Sequence, residues 1–193
     1  MSVNAWIVVA DQPTVGNLVT VARSLGGPVA AVVAGPRSVA ETVANSGVDK
    51  VVWCHAPDDA PPEASAQAVA DTVAADPPRV VLAGRNPGER VLLGAAAARL
   101  KAAVLTGARS VSLDGDTTTV VNAVFGDISD ETVAVSGPVA LLLDGGSVPP
   151  PAGSAPQPAP PAALVHRAPP SSCLRYPTEN TTPTCTASSS ALR

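Results

Sequence analysis

Residues able to do chemistry are sparse in this chain, and the densest group lies in Leu82 to Val104, LAGRNPGERVLLGAAAARLKAAV. Gly84 and Gly88 bracket Arg85, Asn86 and Pro87, and Glu89 and Arg90 follow at once. A loop between a strand and a helix can hold an anion, because the first N–H groups of the helix are unpaired and arginines add charge. The spacing rules out a Walker loop, which needs four residues between its glycines and then Lys-Ser or Lys-Thr. Neither G-x-G-x-x-G nor G-x-S-x-G occurs anywhere in the chain. Asp11, directly after the first apolar run, is a further candidate, an acid placed to accept a ribose hydroxyl. The candidate nucleotide-binding set is therefore Asp11, Gly84, Arg85, Gly88 and Arg90. The plainer reading is a turn that caps a buried helix and helps form a domain interface, with Glu89 in the first turn favoured by the helix dipole alone.

Other chemistry finds no support. Cys54, Cys173 and Cys185 form no C-x-x-C, and His55 and His166 stand apart from acids and cysteines, so neither a metal site nor a disulfide framework is expected. No nucleophile has a base beside it, so the chain does not read as a catalyst in its own right. The net charge is -4 and no Lys/Arg run exists, which excludes the electrostatic footprint of a nucleic-acid or anionic-membrane binder. Aromatics make up 2% of the residues, too few to stack bases. The N-terminus lacks a basic leader, and its apolar run Ala5 to Ala10 is far short of the ~20 residues of a membrane helix. The expectation is a cytoplasmic protein without membrane insertion.

The elements that must position the loop follow from periodicity. Residues 5–10, 28–34, 50–54 and 79–84 are near-continuously apolar and β-branched, the pattern of strands buried on both faces of a parallel sheet. Between the first two, Val15, Leu18, Val19, Ala22 and Leu25 repeat at helical spacing, with Thr14 as candidate N-cap and Gly26-Gly27 as the stop. Helices from Ser38 to a Gly47 stop and from Glu63 onward supply two more crossovers, and the helix after Gly88 ends near Leu100. The period then changes. A short strand at 102–105 precedes SVSLDGDTTTVVNAVFG, which reads as a hairpin turning at Asp114-Gly115-Asp116, and Thr132–Val135 and PVALLLD add two strand candidates. This predicts an α/β fold, an open and mostly parallel sheet with helices on both faces, finished by antiparallel strands. Residues 149–193 hold eleven of the 21 prolines and show no period, so the expected division is a folded domain over 1–148 and a disordered Pro-rich tail over 149–193.

The order SGVDKVVW, RVVLAGRNPGER, AAARLKAAVLTGARSVSLDG and VVNAVFG resembles the N-terminal domain of the electron-transfer flavoprotein alpha subunit, of the carnitine and nitrogen-fixation branch. The likeness spans about residues 4 to 146. It implies a scaffold domain of a heterodimer with a beta-type subunit, passing electrons from flavin dehydrogenases such as acyl-CoA dehydrogenases through FAD. In that family FAD is held by a second, C-terminal domain, of which nothing is found after Val148. In the family a glycine followed by a basic residue occupies the turn read above; here Glu89 intervenes and the cation comes at Arg90. A free-standing nucleotide-binding module of the universal-stress type shares the sheet architecture, but its Gly-rich pattern is missing.

Overall fold

The computed structural model describes residues 3–55, 60–143 and 163–167. Four strands, β1 (Ala5–Val9), β2 (Val29–Ala34), β3 (Lys50–Cys54) and β4 (Val80–Ala83), run parallel. The helices α1 (Gly16–Ser24), α2 (Arg37–Ala44), α3 (Ala66–Ala75) and α4 (Pro87–Leu100) connect or follow them. β1, β2 and β4 are buried along their whole lengths, as strands covered on both faces must be. Alternate residues feed two cores. Ile7, Val9, Val33 and Leu82 pack with α1 and α2 residues such as Leu18 and Val43, while Trp6, Val8, Val32 and Ala83 pack with α3 and α4 residues such as Val69, Leu92 and Leu93. Ala96 and Ala97 let α4 approach the sheet closely.

Beyond Leu100 the chain turns at Lys101, in the left-handed region at φ 55, and enters β5 (Ala103–Asp114). β6 (Thr117–Val124) and β7 (Ser129–Ser136) continue antiparallel, and β8 (Val139–Leu143) returns to lie parallel between β4 and β5. Among the described residues the sheet has nine strands in the order β7-β6-β5-β8-β4-β1-β2-β3-β9, the last being Ala163–Arg167. The predicted fold class is the one found.

Three local expectations are corrected. The segment at 102–105 and the hairpin's first strand are one strand, β5, whose first half pairs with β8 and whose second half pairs with β6 across a bulge near Gly107. Thr14 does not cap α1; Val15 takes that position, its N–H bonded to the Pro13 carbonyl at 2.9 Å. Ala163–Arg167, assigned by sequence to a patternless tail, forms β9 and pairs in parallel with Lys50–Cys54. A strand satisfies its backbone through the neighbouring edge, so even a short apolar run in proline-rich sequence can be recruited. The rest of the expected tail lies outside the described residues.

Candidate functional site

The chain adds β2 and β3 on one side of β1 and then β4 on the other, so the strand order, though not the strand direction, reverses between β1 and β4. Open α/β sheets bind ligands in the crevice outside the strand ends at such a reversal. Asp11 follows β1 there, and Gly84 follows β4.

The crevice is filled from within. Glu89, three residues after the N-cap Asn86 of α4, is 3% exposed. Burial pushes its carboxyl above the ordinary range, opposed by hydrogen bonds from the Ala10 backbone, the Asn86 side chain and the Gly84 backbone, while the charge of Asp11 adds to the rise. A methyl on Gly84 would stand 2.5 Å from Glu89 Oε2, and one on Gly88 would stand 3.3 Å from the Ala10 Cβ and 3.5 Å from Glu63 Oε1. The two glycines of the loop therefore make room for a side chain and for the strand end. Pro87 at the first helical position fixes the entry to α4, so the third position points back at the strand ends. Backbone groups of Ala10 and Gly84 at the strand ends thus hydrogen-bond the chain's own Glu89 carboxyl.

The candidate residues read from sequence divide into two places. Asp11, Gly84 and Gly88 surround Glu89 at the crevice. Arg85 and Arg90 point elsewhere, into a cavity of about 370 Å³ on the β5 side of β4, lined also by Thr106, Gly107, Ala123, Gly126, Asp127 and Leu142. Gly107, at φ 73, brings β5 against β6 closely enough that a Cβ would lie 3.0 Å from the Ala123 carbonyl oxygen. The turn between β6 and β7 forms the far wall. Phe125, Gly126 and Asp127 all have left-handed backbone, at φ 53, 66 and 68. Arg109 pins this turn, contacting Asp127 Oδ1 at 3.2 Å and Asp130 Oδ1 at 3.2 Å.

Sequence reasoning missed the buried state of Glu89 and the whole β6–β7 wall. The available signal for Glu89 was its position three residues past an Asn N-cap, where capping-box acids occur. Among the described residues no group of three or more His, Cys, Asp or Glu is placed to hold a metal ion. No helix of the described residues is long and apolar enough to cross a membrane.

The sequence model of the electron transfer flavoprotein domain matches residues 8–168. No curated protein matches the chain at a significant level. The crevice offers a phosphate-bearing form of the flavin that this family's name implies no fitting site among the described residues. Two acids, Glu89 and Asp11, stand together at the strand ends, a poor setting for a diphosphate, and the cavity lined by Arg85 and Arg90, about 370 Å³, lies near the small end of the range for ligand sites, about 300–1,000 Å³.

Proposed function

We propose that this chain, which belongs to the electron transfer flavoprotein domain family, is the alpha-type docking subunit of an electron carrier rather than its flavin site. The observation that carries this reading is the Glu89 carboxylate in the crevice, which keeps the nucleotide-binding architecture and closes its binding point. A buried acid facing a second acid repels phosphates, so the fold's usual ligand position becomes part of the scaffold.

In this reading the chain pairs with a beta-type subunit in the cytoplasm. FAD lies outside the described residues and accepts electrons from flavin dehydrogenases, acyl-CoA dehydrogenases among them. The chain orients and encloses; it performs no catalytic step of its own. Arg85 and Arg90 face outward into their own cavity and serve an interface or a small anion, not a dinucleotide.

Titrating the purified chain with ADP and with FAD, and following heat or flavin fluorescence, tests this directly. No saturable binding at micromolar concentrations is expected of wild type. Stoichiometric binding of either overturns the closed-crevice reading.

A further inference from the structure

The two edges of the sheet end differently. At one lies β9, a strand of five residues, and at the other β7, a strand of eight. β7 pairs with β6 over eight consecutive residue pairs, from Thr117↔Ser136 to Val124↔Ser129, with no shift of register. Among the described residues no strand pairs with its other side. Alternate residues of such an edge leave N–H and C=O groups without a ladder partner, and sheets guard against this with prolines, lysines, bulges or short length. β7 reads SDETVAVS and has none of these.

Open backbone of this kind is completed by one more strand, and the charges of β7 select which. Asp130 and Glu131 are its only charged residues, and both lie in its first half; Thr132 to Ser136 are neutral. Arg109 contacts Asp130 at 3.2 Å, which lowers the strand's charge further. A parallel copy in register would set each acid against itself, which is destabilising. An antiparallel copy sets the acidic half of each strand beside the neutral half of the other. A two-fold axis through the sheet places one residue opposite its own copy, because directly opposed side chains share a face and neighbours along a strand do not. With Val133 on the axis, Glu131 meets Val135, Asp130 meets Ser136 and Thr132 meets Ala134, so no two charges are opposed. Val133 then meets Val133, a β-branched pair of the kind that stabilises sheets.

We infer that β7 is a self-pairing edge, through which two copies of this chain join antiparallel about a two-fold at Val133 into one sheet continuous across both. The contact uses the same strand on each side, so it closes at two copies. A single strand pair is smaller than a standard interface, which puts the affinity in the micromolar range. The inference goes beyond the docking reading and is independent of it: no beta-type subunit takes part, and a two-fold pair keeps one docking site per chain.

Sedimentation equilibrium of the full chain from about 5 to 500 μM, the range of weak interfaces, tests it. Wild type is compared with Thr132→Lys/Ala134→Lys, with Thr132→Glu/Ala134→Glu, and with Asn17→Lys/Gln67→Lys, a control that adds two lysines at exposed positions on α1 and α3. Thr132 and Ala134 are exposed, and unchanged circular dichroism and melting establish that each variant folds. In the pair these two positions face each other, so each β7 variant opposes like charges twice. Expected are a wild-type mass that rises from one chain toward two, a dissociation constant raised about tenfold or more in each β7 variant, and a control within about twofold of wild type. An equimolar mixture of the Lys and Glu variants should dimerise again, because Lys then faces Glu at both positions. The β7 amides of wild type should exchange more slowly as its concentration rises, a readout that needs no variant.

A wild-type chain that stays monomeric over the whole range overturns the inference, and slow β7 exchange in that monomer assigns the edge to another segment of the same chain. Wild-type dimers that both β7 variants leave within about twofold place the contact elsewhere and overturn it as well. Lys and Glu variants that remain monomeric when mixed overturn the two-fold register at Val133.

Discussion

Replacing Gly84 by alanine adds one methyl group where β4 hands over to α4. Gly84 does not have left-handed backbone, so chain conformation does not oppose the change. At such compatible sites a Gly→Ala change stabilises by about 0.4–1 kcal/mol. Here the methyl meets Glu89 Oε2 at 2.5 Å, and Glu89 is buried and bonded to Ala10, Asn86 and Gly84. Either the methyl is overpacked or the carboxylate leaves its donors, and each route costs about 1–3 kcal/mol. Gly84→Ala is therefore expected to destabilise by roughly 0.5–2.5 kcal/mol once the small gain is offset. Urea unfolding followed by the fluorescence of Trp6, fully buried in the sheet, measures it. In a Glu89→Ala background the same methyl enters vacated space and its cost drops to about 0.5 kcal/mol or less, giving a coupling near 2 kcal/mol in the double-mutant cycle. Gly84→Ala within about 0.5 kcal/mol of wild type, or additive single effects, refutes the claim that Glu89 fills the crevice.

Gly94, in the middle of α4 with nothing within 4 Å of an added Cβ, is the contrasting case; Gly94→Ala should stabilise by about 0.5–1 kcal/mol in the same urea assay. Thr118 Oγ1 is buried without a hydrogen-bond partner among the described residues, so Thr118→Val should raise stability by about 1 kcal/mol, read as a shifted urea midpoint at unchanged slope. Gly107→Ala places a side chain at φ 73 and 3.0 Å from the Ala123 oxygen, and should cost about 1–2 kcal/mol and lower the melting temperature. Glu89 makes stability depend on pH. Its carboxyl is raised above 4.5 mainly by burial, so between 4.5 and its folded value the folded state holds more protons than the unfolded state. Stability from this group is present below that window, falls as pH rises through it and is level above. The difference between wild type and Glu89→Gln in urea titrations from acid to neutral pH should show that fall; a difference that rises with pH contradicts it.

The parallel core was readable because strands buried on both faces leave long runs of Val, Ala and Leu, and Val29–Ala34 could hardly be anything else. The hairpin at Asp114-Gly115-Asp116 was readable from turn chemistry alone. The continuity of β5 was hidden, because a strand that changes partners across a bulge changes its burial pattern midway. β9 was hidden because Ala163–Arg167 is a short run surrounded by prolines, and its pairing is decided by the open edge of β3 rather than by its own residues. At the site the sequence named Gly84 and Gly88 and left two readings of them, a turn that caps a buried helix and a weaker candidate site for a nucleotide. The space goes to Glu89, a distinction set by which way one side chain turns at the start of α4. The exposure of Phe125 and Ile128 was likewise illegible, since apolar residues at a strand end read as core until burial is known.

As a docking subunit, this chain binds a partner and leaves the flavin to other parts of the carrier. The most direct measurement co-expresses the tagged chain with the beta-type subunit from the same source and determines the mass of the product by light scattering together with its visible absorption. A docking subunit gives a one-to-one complex, and no flavin absorption from this chain when it is purified by itself. A chain that elutes alone and carries stoichiometric flavin would contradict it.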